Sequence, residues 1–549
     1  MQVNSPLPKS FTIRLKVDFT GVAADESIYE AGPVRLALRM AGHAPELEEY
    51  DGRRGNYLHF PMPDGSCPVV EATICERGGR VGLPLGALPC ADGVHDMTLD
   101  FTPPRWTMCV DGVRDEDWPP APGDIAWPDG PMRGKALSTR VKAAALSSPS
   151  LPEALPAVPD FRRVARPIQY WTPDDPDAWV GDVALGSWRG RLHVFYLFDR
   201  RHHGSGGGAG RHFFAHLSSA NLADWDEHPP AVPIENWWET LGTGTPFVHE
   251  GRLHLAYGLH TDRLSRDPAL PAGATYASSD DGIHFHKSGR IVHPTQNPTI
   301  YNRPDGLLGL AAGYAGTGGL WTSDHIGDWQ LHDGDVPTRG DCPCPFEWNG
   351  HHYILQGFSG FAHSVGGLPG TWEDWGVQGR TPYDGLSVPM VAPFCGNRRI
   401  LAGWLQCTDG LWGGWLVFRE LVQEPDGTLG TKWVPEIAPP SQPETFAAQP
   451  GRPLRIVFPR DGDAGPALVF ALDPVARTAS FADDVPDAGF SALNSADNIR
   501  IRNLPEFNGD FAVRIARYWD EKAGATIFDA EIGGVRTLIC RRKGRFKNG

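Results

Sequence analysis

Two aspartates, Asp182 and Asp341, carry the chemistry that the sequence indicates. Each precedes a Gly-led apolar strand of a kind that recurs along the chain. Glycosidases use one carboxylate at the anomeric carbon, as nucleophile or water-activating base, and a second, protonated carboxyl as acid for the leaving oxygen. An aspartate before a strand is more often a turn or cap residue. The matched repeat positions of this pair nevertheless favour the catalytic interpretation.

The repeat itself is the strongest organisational signal in the chain. Five segments share the Gly-led apolar strand, at successive separations of 61, 55, 44 and 46 residues, and they begin at Gly190, Gly251, Gly306, Gly350 and Gly396. These separations match the length of a four-stranded propeller blade. We therefore predict a five-bladed β-propeller over residues 165–440.

The register of the repeat predicts which residues meet at the central funnel. If the Gly-led strand is the second of each blade, the innermost strand begins some six to nine residues earlier. The residues at these positions, which would surround one funnel, are Asp182, Thr245, Asn297, Asp341 and Ser387. Two carboxylates and three uncharged polar groups around a small cavity suit the hydrolysis of a sugar.

Alternating strands without helical periodicity flank the predicted propeller. Segments such as 11–17 alternate apolar and polar residues, which predicts a β-sandwich, and 95–117 looks like the closing hairpin of a concanavalin-like, laminin-G-like sandwich. Further alternating segments between 454 and 541 predict a second sandwich. The predicted organisation is all-β, with an N-terminal β-sandwich and linker over 1–160, the propeller over 165–440 and a C-terminal β-sandwich over 441–549.

Composition limits the class of protein. The 549 residues include 65 Gly and 51 Pro, which favours short strands joined by tight turns. The 50 Lys and Arg against 66 Asp and Glu give a net charge of −16, a field that repels nucleic-acid phosphates and anionic lipids. No apolar run is long enough to span a bilayer. We therefore expect an oligosaccharide or small glycoside as the binding partner, with no nucleic acid and no membrane, and the oligomeric state stays open.

Cysteines and histidines give no sign of a metal site. The nine cysteines are odd in number and sparse, so no disulfide framework is predicted. Cys342 and Cys344 form a CxC that lacks a second ligand pair, and the histidines fit surface or strand-filling positions better than ligand positions. We expect neither a metal nor another cofactor. The N-terminus shows no export signal, which predicts a cytoplasmic protein, or a secreted one if a signal has been removed.

From residue 165 onward the chain resembles glycoside hydrolase family 32, the invertases and fructanases of the five-bladed furanosidase clan. The stretch WVGDVALGSWRGRLHVFYL is similar to the family's opening motif, in which Asp182 matches the nucleophile and Trp179 the tryptophan of the pocket wall. GTGTPFV (242–248) resembles the family's Ser-Gly-Ser segment, and DCPCPF (341–346) its Glu-Cys-Pro-Asp-Leu-Phe segment. Segment 383–404 looks like part of the fifth blade.

This resemblance implies a glycosidase that cleaves furanosidic linkages of the fructofuranoside type. Asp182 would be the nucleophile or base, Asp341 the general acid, and Asn297 a ligand of the ring hydroxyls. Trp179 would stack on the sugar. The substrate-binding candidates are Trp179, Gln296, Asn297, Thr245 and Asp384.

The chain departs from the family at several of these positions. The family's Arg-Asp-Pro is replaced by Gln296, Asn297 and Pro298, so an amide stands in place of a charged group. Gly181 and Leu197 replace an Asn and a Gln that contact sugar in the family. These replacements put the family's fructose specificity in question for this chain.

The acid is also changed, because the family's Glu is replaced by Asp341, which is one methylene shorter. Retaining glycosidases hold their carboxyls about 5–5.5 Å apart, whereas inverting ones need about 6.5–9.5 Å to admit a water. A shorter acid widens this gap. We therefore hypothesise either a differently placed furanoside or a shift toward inversion.

Two alternative functions stay open at the level of sequence. One is an arabinofuranosidase or arabinanase-like enzyme of the same clan. The other is a carbohydrate-binding propeller without catalysis, because two of the three family carboxylate positions are changed. A raised pKa at Asp341 would favour an enzyme, since a binding protein needs no carboxylic acid held protonated near neutrality.

Overall fold

The computed structural model describes the chain in segments, and every structural statement below concerns these residues: 10–40, 68–75, 81–89, 91–102, 105–117, 125–128, 131–147, 161–175, 178–200, 212–236, 239–261, 270–295, 297–314, 317–333, 336, 341–357, 360–365, 370–376, 378, 380–383, 385–407, 412–462, 465–484 and 498–547. They contain strands and turns throughout. Within these segments no helix is long and apolar enough to cross a membrane.

The N-terminal segments form a sandwich of two five-stranded antiparallel sheets. Their strands are β1 (Phe11–Asp18), β2 (Glu26–Ala31), β3 (Val34–Met40), β4 (Pro68–Cys75), β5 (Val81–Pro89), β6 (Val94–Thr102), β7 (Arg105–Val110), β8 (Val113–Asp117), β9 (Gly134–Ala136) and β10 (Val141–Ser147). One sheet has the order β10-β1-β6-β7-β8 and the other β5-β4-β3-β2-β9. The inward side chains of β1 alternate with outward ones and pack on Trp106 and Phe101, as a half-buried strand requires.

The middle of the chain forms five blades. Their strands are β11 (Arg162–Arg163), β12 (Ala178–Trp188), β13 (Arg191–Arg200), β14 (Phe213–Ser219), β15 (Asp226–Val232), β16 (Glu239–His249), β17 (Arg252–Thr261), β18 (Gly273–Ser279), β19 (His286–Lys287), β20 (Thr299–Asn302), β21 (Leu308–Tyr314), β22 (Thr317–Ser323), β23 (Gln330–Asp333), β24 (Pro343–Trp348), β25 (His351–Gln356), β26 (Gly360–Val365), β27 (Trp372–Asp374), β28 (Leu386–Phe394), β29 (Arg398–Gln406), β30 (Gly414–Gln423) and β31 (Leu429–Lys432).

The strand order confirms the register that the repeat predicts. Each blade is a meander of four antiparallel strands, β12–β15, β16–β19, β20–β23, β24–β27 and β28–β31, and the Gly-led strand is the second of each. The glycine is required by the hairpin turn between the first two strands. At Arg189 and Gly190, for example, φ is +46° and +75°, and two consecutive positive φ values define the turn that suits a tight hairpin.

The C-terminal segments form a second sandwich, which packs on the propeller. Its strands are β32 (Glu444–Ala448), β33 (Leu454–Phe458), β34 (Leu468–Asp473), β35 (Thr478–Asp483), β36 (Ile499–Ile501), β37 (Phe511–Asp520), β38 (Ala525–Ile532) and β39 (Arg536–Lys543). The sheets have the orders β32-β37-β38-β39 and β33-β34-β35-β36. The fold is therefore all-β, a propeller between two sandwiches, as the sequence predicts.

A buried polar cluster joins the propeller to the C-terminal sandwich. Arg419 of β30 lies 2.8 Å from the carboxylate of Asp529 on β38, and both side chains are almost completely buried. The hydroxyl of Tyr170 donates a hydrogen bond of 2.7 Å to the other oxygen of Asp529. Because a buried charge is costly without partners, this cluster ties the two units to each other.

Candidate active site

The innermost strands bring the predicted carboxylates to the same end of the propeller. Asp182 lies near the start of β12 in the first blade, and Asp341 lies two residues before β24 in the fourth. Asn297 precedes β20 of the third blade and contacts Asp341. Three blades thus supply three polar side chains to one place, as the register of the repeat predicts.

Asp182 is a buried carboxylate held by donors from two other blades. Its Oδ1 accepts a hydrogen bond of 3.2 Å from the indole Nε1 of Trp404, and the hydroxyl of Thr243 donates to its Oδ2. Burial raises the pKa of Asp182 to about 6, the nearby Asp341 adds to the rise, and the two donors oppose it. A carboxyl with this pKa is ionised near neutrality and fixed in orientation, as a nucleophile or base must be.

Asp341 is less buried and accepts a hydrogen bond at each oxygen. The backbone N–H of Cys342 lies 2.9 Å from its Oδ1, and the side-chain amide of Asn297 lies 2.6 Å from its Oδ2. Cys342 also connects the two aspartates, because its Sγ lies 3.9 Å from Oδ2 of Asp182 and 3.2 Å from the hydroxyl of Thr243. Burial raises the pKa of this thiol well above its usual value, so it stays neutral between the carboxyls.

The surroundings of Asp182 raise its pKa through opposing effects. Burial and the neighbouring carboxylate both oppose ionisation of Asp182, whereas the hydroxyl of Thr243 and the indole of Trp404 stabilise its charge. A pair of carboxyls in unequal surroundings is the arrangement from which acid and base roles arise.

Aromatic side chains form a wall beside Asp182. The ring of Trp412 lies 5.5 Å from that of Trp404, measured between centroids, and stacks on His212 at 4.5 Å. Trp412 also covers Gly181, the neighbour of Asp182 in the chain. An aromatic wall next to a carboxylate suits a sugar, which presents both C–H groups and hydroxyls.

Two predicted residues lie elsewhere than the sequence places them. Trp179 is only 1% exposed, and its ring packs against Trp415 and the ammonium group of Lys522, so in this structure it offers no surface for a stacked sugar. The hydroxyl of Thr245 donates to the backbone carbonyl of Ile300 and faces a cavity of about 830 Å³ toward the other end of the channel. Its role in substrate binding stays a prediction.

The register of the repeat predicts Thr245 at the funnel, whereas in the structure Thr243 is the threonine that contacts Asp182. The pairing of β16 with β17 shifts between Gly242 and Gly244, and a similar shift lies between Val180 and Val183 of β12. Such bulges change which residues point into the channel. Counting residues from the Gly-led strand cannot reveal them, although the segment GTGTPFV contains the correct threonine.

Trp404 and Trp412 are missed for a different reason. Both belong to the fifth blade, where Trp404 lies in the Gly-led segment itself and Trp412 follows it. Their side chains contact the neighbouring first blade at Asp182 and His212, which are distant in the sequence, so no local pattern encodes these contacts. Gln296 and Asp384 lie outside the described residues.

The described residues contain no cluster of three His, Cys, Asp or Glu side chains that could hold a metal ion. The donors around Asp182 and Asp341 are a hydroxyl, an indole, a side-chain amide, a backbone N–H and a thiol. Two carboxyls held by such donors can perform acid–base and nucleophilic chemistry.

Comparisons with known proteins find relatives in sequence and in structure. No protein-family profile matches the chain. A sucrose-6-phosphate hydrolase of Escherichia coli is 24% identical over 301 residues, which are 46% of this chain and 62% of that protein, and a probable sucrose-6-phosphate hydrolase of Vibrio cholerae is 23% identical over 319 residues, 50% of this chain and 54% of that protein. The chain thus spans about half to three fifths of the length of these curated relatives.

Solved structures show the same fold. A β-fructofuranosidase of glycoside hydrolase family 32 from Bombyx mori has a TM-score of 0.50 at 17% identity, over 69% of this chain and 90% of that one. An exo-inulinase from Aspergillus awamori has a TM-score of 0.50 at 14% identity, over 69% of this chain and 93% of that one. The chain therefore shares the fold of these family 32 enzymes and resembles sucrose-6-phosphate hydrolases in sequence. The resemblance in fold that the sequence predicts is confirmed.

Proposed function

We propose that the chain is a glycoside hydrolase that cleaves furanosidic linkages, of the fructofuranoside type, in an oligosaccharide or small glycoside. Asp182 acts as the nucleophile or water-activating base, and Asp341 donates a proton to the leaving oxygen. The observation that carries the proposal is the pair of carboxyls from the first and fourth blades, joined through Cys342 and surrounded by donors and an aromatic wall.

The relatives support the choice of substrate class. The curated relatives are named sucrose-6-phosphate hydrolases, and the Bombyx mori enzyme has also been solved, as a variant, in complex with sucrose. The donors on Asp182 suit a carboxylate that attacks or activates water, because they stabilise its charge without supplying a proton donor stronger than an indole or hydroxyl. The cytoplasmic location and the absence of nucleic-acid or membrane partners stay predictions.

A carbohydrate-binding propeller without catalysis is the second candidate. Asn297 favours it, because this amide occupies the position of a family carboxylate and donates to Asp341. Such a protein would bind the sugar through the same wall and polar groups, and it would release no product.

The test is the release of reducing sugar from sucrose, inulin, levan, difructose anhydrides, arabinan and aryl arabinofuranosides. The wild type is compared with Asp182→Asn and Asp341→Asn, with Asp484→Asn on the C-terminal sandwich as a control for the introduction of an amide. Hydrolysis of a fructofuranoside that both site substitutions abolish and the control retains is the expected result.

The alternatives give different outcomes. Hydrolysis limited to arabinofuranosides would assign the other branch of the clan. Sugar binding by calorimetry without any release would assign the binding protein. Unchanged turnover in Asp182→Asn would contradict the whole assignment.

A further inference from the structure

In the wall beside Asp182, the ring of Trp412 leaves no room for a side chain at position 181. Gly181 stands where the resembled family carries an asparagine that contacts sugar. A Cβ atom added at Gly181 would lie 1.9 Å from a carbon of the Trp412 ring, and two further ring carbons would lie within 2.9 Å. The indole therefore occupies the space that any side chain at position 181 would need.

Trp412 is fixed in this place by a buried pair of side chains. Its ring stacks on His212 at 4.5 Å with an angle of 26° between the planes. Nε2 of His212 lies 3.1 Å from Oδ1 of Asp199, and both of these side chains are completely buried. The indole also packs against Trp404, at 5.5 Å between ring centroids, and Nε1 of Trp404 donates a hydrogen bond to the carboxylate of Asp182.

The backbone at Gly413, which follows Trp412, lies close to Asp199 of the buried His212–Asp199 pair. Gly413 has a φ of +85°, a conformation that strongly favours glycine. A Cβ atom there would lie 2.8 Å from Oδ2 of Asp199 and 3.1 Å from Cβ of Trp179. The glycine thus allows the chain to approach the buried pair closely enough to place the indole over Gly181.

We propose that Trp412 is a specificity-determining residue, whose indole forms the wall of the sugar site next to Asp182 in place of the family's asparagine, and that His212 and Asp199 are positioning residues for it. This inference rests on the proposed function. An indole face contacts C–H groups of a sugar, whereas an asparagine pairs with a hydroxyl. The site therefore takes a furanoside ring that turns C–H groups, and not a hydroxyl, toward position 181.

The test is a double-mutant cycle between positions 181 and 412. We expect Gly181→Asn and Trp412→Ala each to lower kcat/KM by about tenfold on the furanoside that the wild type hydrolyses. The loss of kcat/KM in the double variant should be smaller than the product of the two single losses, because the asparagine then has the space that the indole occupied. The ratio of kcat/KM on fructofuranosides to kcat/KM on aryl arabinofuranosides should be higher in the double variant than in Trp412→Ala, since the added amide can bind a hydroxyl.

The positioning role has its own readout. His212→Ala should lower kcat/KM in the wild-type background and change it by less than about twofold in the Trp412→Ala background, because its effect passes through the indole. Trp519→Ala, which removes a partly buried tryptophan from the C-terminal sandwich, controls for the loss of an indole as such. Thermal melting of every variant separates loss of fold from loss of the wall.

The outcomes distinguish the inference from the function on which it rests. A wild type that hydrolyses none of the furanosides would remove the proposed function, and the inference with it. An active wild type in which the two substitutions multiply independently, or in which His212→Ala acts equally in both backgrounds, would overturn the inference alone.

Discussion

At the scale of single residues, the site depends on how Asp182 is held. Burial opposes its charge, while Thr243 and Trp404 stabilise it, and the balance raises the pKa to about 6. A nucleophile or base must be ionised to act. If Asp182 is the nucleophile or base, as proposed, its pKa of about 6 sets the acid side of the pH profile.

We expect kcat/KM to rise with pH through about 6. Below this pH the free enzyme carries Asp182 protonated, and a protonated carboxyl neither attacks nor activates water. The measurement is the pH dependence of kcat/KM on the hydrolysed furanoside. An acid limb that stays flat down to pH 4 would show that the essential base is another group.

Thr243 and Thr245 provide a matched pair of substitutions, because Thr243 contacts Asp182 and Thr245 contacts Ile300 instead. Thr243→Val removes a donor to Asp182, so its charged form is less stable and the acid limb should move to higher pH, with kcat/KM lower by about tenfold near pH 6, as expected for a lost hydrogen bond to a charged group. Thr245→Val removes only a bond to the Ile300 carbonyl. Equal effects of the two substitutions would contradict the placement of Thr243.

At the scale of elements, the blades carry stacks of buried histidines on their second and third strands. In the first blade Nδ1 of His193 on β13 lies 3.0 Å from Nε2 of His216 on β14, and both rings are buried. Burial lowers the pKa of His193 to about 3 and that of His216 well below its usual value. These histidines fill the blade as neutral aromatic side chains, which agrees with the strand-filling interpretation of the sequence.

This stack should make the protein sensitive to acid. The folded-state pKa of His193 lies below the unfolded value of about 6.5, so its contribution to stability is complete above that pH and is lost as the pH falls toward about 3. We expect His193→Gln to reduce the slope of the unfolding free energy between pH 6 and 4 by up to about 1.4 kcal/mol per pH unit.

Urea unfolding at several pH values measures this slope. The exposed His286 supplies the control, because His286→Gln removes a histidine from the surface and not from the stack. A slope that His193→Gln leaves unchanged would show that the stack does not limit acid stability.

At the scale of the whole molecule, the C-terminal sandwich and the propeller share buried contacts. Arg419 and Asp529 form an ion pair across their interface. Lys522 reaches from the sandwich to the backbone carbonyls at positions 173 and 175, which precede β12, and at position 178, the first residue of β12. The carbonyls that Lys522 binds lie close in the chain to Asp182. The sandwich therefore helps to fix the strand that carries the proposed nucleophile.

Removing one partner of the buried pair should be costly. Asp529→Ala leaves Arg419 charged and buried, so we expect a loss of about 3–5 kcal/mol in the free energy of unfolding. Asp484→Ala breaks an exposed pair with Arg455 and should cost no more than about 1 kcal/mol. Urea unfolding compares the two, and similar losses would show that the buried pair does not secure the interface.

The sequence predicts the architecture well because it repeats. The Gly-led strands mark the second strand of every blade, and their spacing places Asp182, Asn297 and Asp341 at one end of the channel. The prediction from the repeat is wrong where the strand geometry departs from the repeat. Register shifts in β12 and β16 bring Thr243, and not Thr245, into contact with Asp182. The indole of Trp412 is positioned by contacts between the fifth and first blades.

In the proposed reaction Asp182 attacks or activates water, and Asp341 protonates the leaving group. The most direct test compares a natural furanoside, such as sucrose, with a 4-nitrophenyl furanoside, whose leaving group needs no acid. We predict that Asp341→Ala loses far more kcat/KM on the natural substrate than on the aryl one, while Asp182→Ala loses activity on both. Equal losses on the two substrates in Asp341→Ala, or retained activity in Asp182→Ala, would contradict the account.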